Sequence, residues 1–194
     1  MAYETYTTEA IVCGSHIRGE HDGTIRLFTK DAGMVYARAG GVRAGRSKLR
    51  YALQDFSHIQ VSLVRGRHEW RIIGAISIGN FYYQATDRTA RATLLSSMRS
   101  VRRFVQGAGV HPELFLLVLD GMRSFASDEH APMGEQVFMI RLLHELGYVA
   151  GSSVCAPVLS ATTFREALDA YQGRQDLHSA MGGIIEKALL VSQL

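Results

Sequence analysis

The sequence predicts an α+β chain in two parts, a small five-stranded barrel followed by an all-α region. Two observations carry this. Residues 9–78 break into short runs of β-forming residues separated by glycine-containing turns, with no proline among them. Beyond Gly79 the apolar residues recur at three- and four-residue steps, the spacing of helices buried along one face. A chain of 194 residues with 47% hydrophobic content has enough apolar material to form a substantial core.

The predicted strands cover residues 10–17, 24–29, 34–39, 59–64 and 70–78. Alternation marks a barrel wall: Ile25, Leu27 and Thr29 share one side of the second run, and Ile59, Val61 and Leu63 one side of the fourth. In the helical part, residues 86–105 place Ala90, Leu94, Leu95, Met98, Val101, Phe104 and Val105 at three- and four-residue steps, as one amphipathic helix. A second helix opens at His111-Pro112, where proline suits the first turn, and runs through Leu114, Leu117, Val118 and Met122. A third covers residues 134–146 and stops at Gly147. Two more cover residues 160–171, capped by Thr162 or Thr163, and residues 177–191. Short connections imply that these helices pack on their sequence neighbours.

The formal charge is only +3, but it is unevenly placed. Residues 1–80 hold 11 Lys/Arg against 7 Asp/Glu, whereas residues 81–194 hold 10 against 11. Two cysteines, Cys13 and Cys155, form neither a disulfide framework nor a C-x-x-C pair, so a reducing cytosol is the expected compartment. No signal peptide and no membrane-spanning run is read from the sequence, and no membrane role is expected.

Residues 37–50 (ARAGGVRAGRSKLR) carry five cations, Arg38, Arg43, Arg46, Lys48 and Arg50, with no acid between Ala32 and Gln54. A glycine-containing loop of this kind can follow a polyanion and place guanidiniums on phosphates. A solvated basic loop that binds nothing accounts for the same composition equally well. Position shifts the balance, because the turn between the last two strands, Arg65-Gly66-Arg67-His68, puts a second cationic cluster on the same barrel. Phe28, Tyr36, Phe56 and Trp70 are weaker candidates for base stacking, since strand aromatics more often fill a core. Arg99, Arg102 and Arg103 are secondary DNA-binding candidates on the first long helix, where a solvated face is the ordinary reading.

Enzymatic patterns are poor. The eight histidines are scattered, the His144-Glu145 pair lacks a second histidine four residues on, and no phosphate-binding nucleotide loop exists. Asp120, Asp128, Glu129 and Glu135 read as a polar helix end and loop rather than a metal site. The expectation is a protein without catalytic residues, cofactor or metal.

Residues 9–12 (EAIV), 18–35 (RGEHDGTIRLFTKDAGMV), 39–43 (AGGVR) and 47–56 (SKLRYALQDF) together resemble the opening of the bacterial RecO family of recombination mediators in both order and spacing. Residues 138–148 (FMIRLLHELGY) are similar to a segment in that family's helical part. The resemblance implies an N-terminal OB-fold barrel, residues 1–80, and a helical domain, residues 81–194. Such proteins bind single- and double-stranded DNA and anneal complementary strands. With a RecR-like protein they help load RecA onto strands coated by single-strand-binding protein. They act in the cytoplasm at the nucleoid. The resemblance places the DNA-binding loop on Arg43, Arg46, Lys48 and Arg50, and it gives the helical domain to partners, including the C-terminal tail of single-strand-binding protein. Many members carry a four-cysteine zinc module after the segment matching residues 138–148; here Cys155 has no C-x-x-C partner, so no zinc is expected. The alternative is a protein-interaction adaptor that binds RecR-like or single-strand-binding partners, with only incidental DNA contact.

Overall fold

A computed structural model of the chain describes residues 5–18, 22–42, 47, 49–66, 69–107, 109–127, 132–151 and 154–191. Its contacts divide it into two compact units, Met1–Gln84 with Gln106–Phe115, and Ala85–Val105 with Leu116–Leu194.

In the first unit β1 (Thr5–Arg18), β2 (Asp22–Thr29), β3 (Gly33–Ala39), β4 (Ser57–Arg65) and β5 (Trp70–Asn80) close into a barrel in the order β1-β2-β3-β5-β4. This is the five-stranded barrel the alternation predicts. Closure depends on β1, which pairs with β4 through residues 5–11 and with β2 through residues 10–18. A bulge between Val12 and Gly14 bends it from one partner toward the other. The sequence reading starts this strand at Ala10, because residues 5–9 are polar. Thr8 nevertheless points inward, buried, and its hydroxyl donates to Asp31 Oδ2 at 2.7 Å. Hydrogen bonding thus lets a threonine occupy a position that the apolar pattern cannot mark.

The inner wall is built from alternate residues, among them Ala10, Val12, Ile25, Leu27, Val35, Ala37, Ile59, Val61, Leu63 and Ile72. Fully buried side chains such as Leu27, Ile59 and Leu63 each contribute about 1.5–3 kcal/mol. The short helix α1 (Leu49–Ala52) adds Ala52, and Leu53 follows it into the same core. β3 and β5 pair in parallel over three residue pairs only, Ala37 with Trp70, Arg38 with Arg71 and Ala39 with Ile72. Residues 106–115 count with this unit: Met34 N donates to Gly107 O at 3.1 Å, and the Phe115 ring lies 5.6 Å from that of Phe28. The short helix α2 (Phe81–Gln84) buries Phe81.

The second unit takes in α3 (Arg88–Phe104), the part of α4 (Pro112–Ala126) from residue 116, α5 (Pro132–Glu145), α6 (Ala156–Leu159), α7 (Phe164–Tyr171) and α8 (Gln175–Val191). Asp87 caps α3 by accepting from Ala90 N at 2.8 Å, which starts the helix two residues later than its apolar pattern suggests. α5 supplies the buried centre, and Phe125, Phe138 and Phe164 form a ring cluster with centroid separations of 5.2–6.5 Å. Past α5, Gly147 takes φ +78 while Tyr148 N donates to Leu143 O at 2.9 Å, so the predicted glycine stop is a hydrogen-bonded cap.

The helix predicted over residues 160–171 is α7, which starts four residues later, at Phe164, behind one of its two predicted caps, Thr163; the four-residue α6 lies before the predicted range. Thr163 Oγ1 accepts from Glu166 N at 3.1 Å while Glu166 Oε2 accepts from Thr163 N at 3.3 Å, a reciprocal capping box. Asp120 Oδ2 accepts from Phe164 N at 2.7 Å, and Arg141 donates to the carbonyls of Ala161 and Thr163 at 2.8 and 3.1 Å. Burial lowers the Arg141 pKa, opposed by the charges of Asp120, Glu145 and Glu166. Thr163→Ala is expected to cost about 1 kcal/mol, within the usual range for loss of a cap, as read by urea unfolding. No change would remove the capping box as a determinant of α7. Among the described residues no helix is long and apolar enough to cross a membrane.

Candidate nucleic-acid interface

Because Ile25, Leu27 and Ala37 face the barrel core, their neighbours on β2 and β3 face outward. The register sets Arg26 opposite Tyr36 and Thr24 opposite Arg38, and the parallel seam sets Arg38 beside Arg71. One outer surface over β2, β3 and β5 therefore carries three arginines and a tyrosine. The Tyr36 ring is 55% exposed, with the Arg26 guanidinium carbon 5.4 Å from its centroid. The guanidinium brings positive charge beside an exposed ring, the pairing of cation and aromatic surface that suits a phosphate backbone and its stacked bases.

Arg38 is the most constrained of the three. Its Nε and Nη2 donate to Asp22 Oδ2 at 3.1 and 2.5 Å, and its Nη1 lies 3.6 Å from Glu69 Oε1. The hydrogen bond to Asp22, followed by the Asp22 charge, raises the Arg38 pKa. The remaining Asp22 oxygen accepts from Gly41 N at 3.1 Å, where the chain leaves β3 toward the basic stretch. Arg71 is exposed and forms no ion pair with any described residue. Asp22, Arg38, Gly40, Arg71 and Ile73 border an open cleft of about 460 Å³ at the β3–β5 seam.

The residues chosen from sequence fall into three groups. Arg38, Arg50 and Arg65 lie in the barrel unit: Arg38 on the outer face, Arg50 exposed on α1, and Arg65 at the end of β4 with its guanidinium carbon 5.7 Å from the Trp70 ring centroid. Arg43, Arg46, Lys48 and Arg67 lie outside the described residues. Arg99, Arg102 and Arg103 lie on α3 in the other unit. There Arg99 Nε donates to Leu95 O at 3.4 Å, and Arg103 Nη2 donates to Leu189 O of α8 at 3.3 Å.

Of the four aromatic candidates, Phe28 and Phe56 are buried and cannot stack on a ligand, Trp70 is half-buried and Tyr36 is open. Phe28 is taken by its contact with Phe115; Phe56 sits at φ +68, held by hydrogen bonds from its N–H to Val12 O and from Phe81 N to its carbonyl. Arg26 and Arg71 were not selected from sequence, although alternation held their signal: each sits beside inward-facing apolar residues and so must face out.

Residues 1–81 match the family model described as "Recombination protein O N terminal". A DNA repair protein RecO from a Nocardioides species is 31% identical over 156 residues, which is 78% of this chain and 63% of that protein. Through its barrel, the chain is thus similar to RecO proteins. DNA repair protein RecO of Myxococcus xanthus is 26% identical over 171 residues, covering 88% of this chain and 70% of its own. That of Dehalococcoides mccartyi is 27% identical over 151 residues, covering 78% and 60%. The chain thus spans 63%, 70% and 60% of the lengths of these RecO relatives. Among the described residues Cys13 and Cys155 are free and buried, and no group of three or more His, Cys, Asp or Glu converges on one position.

Proposed function

We propose that this chain is a RecO-type DNA-binding mediator of recombinational DNA repair that carries out no catalytic step. The barrel of residues 1–80 would bind single- and double-stranded DNA, and the helical residues 81–194 would receive protein partners. In this reading the chain anneals complementary strands and, with a RecR-like protein, helps load RecA onto strands covered by single-strand-binding protein, whose C-terminal tail docks on the helical part. It works in the cytoplasm at the nucleoid. What supports the DNA-binding reading best is the outer face of β2, β3 and β5, where the strand register sets Arg26, Tyr36, Arg38 and Arg71 side by side. Cations at strand spacing contact successive phosphates, and an exposed ring gives a base a sequence-independent surface.

The basic stretch of Arg43, Arg46, Lys48 and Arg50 continues the chain directly from this face. Binding of oligothymidylate should fall steeply with salt. Replacing Arg43, Arg46 and Lys48 with alanine should make the slope of log affinity against log salt shallower by about 2, at about 0.7 per phosphate contact on a single strand. A fluorescence anisotropy titration over a salt series measures this, and an unchanged slope removes the loop from the site.

One observation favours the adaptor alternative. β5 exposes Ile73, Ile76 and Ile78, each more than half open to solvent, and partner binding is a common reason for such clustering. Capture of a RecR-like protein by nucleic-acid-free chain, without strand annealing, would support that alternative over DNA binding.

A further inference from the structure

Arg38 sits at the middle of the outer-face row, yet its guanidinium is already engaged. The edge formed by Nε and Nη2, the edge an arginine offers to a phosphodiester, is filled by Asp22, while Nη1 leans toward Glu69. The acids arrive from two directions, Asp22 at the start of β2 and Glu69 immediately before β5. All three side chains still meet water, at 40% exposure for Arg38, 29% for Asp22 and 39% for Glu69. An incoming anion can therefore reach the guanidinium and compete for it. Arg71 stands beside Arg38 in register without an ion-pair partner among the described residues, so a first phosphate has a place to land next to the contested one.

We propose that Asp22, assisted by Glu69, is a resident competitor for Arg38, a carboxylate brake that holds the central guanidinium until closely spaced phosphates of a polyanion displace it. The inference rests on the reading of this face as a phosphate-binding surface. In the unliganded chain the brake neutralises the centre of the row, so isolated anions gain little there. A strand already anchored at Arg71 brings its next phosphate to Arg38 at high local concentration and exchanges the carboxylate out. Binding then trades one ion pair for another, and Arg38 adds little net affinity in the wild-type chain despite its position.

Asp22→Asn separates this from a purely structural bridge. An asparagine oxygen can still accept from Gly41 N, which keeps the exit from β3 anchored, while the charge that competes for Arg38 is gone. Titrated into the full chain at low salt, oligothymidylate should bind D22N about three- to tenfold more tightly than wild type, with a slope against log salt steeper by about 0.7. Arg38→Gln should change wild-type affinity less than about twofold, yet in the D22N chain it should abolish the whole gain. Glu69→Gln gives a smaller gain of the same sign and serves as the second variant should D22N fold poorly by circular dichroism. Equal or weaker binding by both D22N and E69Q, with wild type binding in a salt-dependent way, overturns the brake alone. A gain that survives in the D22N/R38Q chain also overturns it, because the effect would then be diffuse charge rather than release of Arg38. If neither wild type nor the variants bind oligothymidylate at low salt, the phosphate-binding reading fails and the brake with it.

Discussion

Replacing Arg26 and Arg71 with glutamine and Tyr36 with alanine in one chain is expected to weaken oligothymidylate binding on the order of a hundredfold at low salt. The parts of this loss differ in kind. Tyr36→Ala alone removes a stacking surface, an effect of about 1–3 kcal/mol that leaves the salt slope nearly unchanged. The two arginine substitutions act through counterion release and should make that slope shallower by about 1.4 together. Arg26 and Tyr36 will not be additive, because the guanidinium overlies the ring and each orients the other. The barrel itself should tolerate the triple change, since all three side chains face away from the inner wall. Anisotropy titrations across a salt series, with thermal unfolding as a check on folding, separate the terms. An affinity within twofold of wild type would remove the β2–β3–β5 face from DNA binding.

The contrast between Arg38 and its neighbours shows where sequence reading succeeds and where it stops. Ile25, Leu27, Ile59, Val61 and Leu63 announce the barrel wall because side-chain direction in a strand has a period of two. The same period places Arg26 outward, but a single cation between apolar residues looks like any solvated strand position until the facing Tyr36 is known. Arg71 needs more, because its place beside Arg38 depends on a parallel seam of three residue pairs, and no local pattern encodes that pairing. Arg38 was legible as a cation but not as an engaged one. Asp22 and Glu69 are distant along the chain and meet it only when β2, β3 and the approach to β5 converge. In the helical unit, the caps Thr163 and Gly147 were readable because capping is local chemistry. The four-residue α6 was not, since a single turn is too short to display a helical period.

Gly33→Ala is expected to be among the most damaging single substitutions in the barrel unit, at about 2–5 kcal/mol. Gly33 ends the β2–β3 turn at φ +66, a conformation that costs an alanine about 1–2 kcal/mol on its own. The larger share is steric. A Cβ there would lie 2.5 Å from Gly109 O, 2.8 Å from Gly109 N and 3.1 Å from Gly107 O, all main-chain atoms that cannot rotate aside. The segment would have to retreat, loosening the 3.1 Å hydrogen bond from Met34 N to Gly107 O and drawing Phe115 off Phe28. Gly41 supplies the internal control: it has φ +61, but a Cβ there meets nothing within 4 Å. Gly41→Ala should therefore show the conformational cost alone, about 1–2 kcal/mol, and the difference between the two variants in urea unfolding isolates the contact with Gly107 and Gly109. Equal costs would mean that this segment does not rest on the β2–β3 turn, and that Phe28 needs another explanation for its burial.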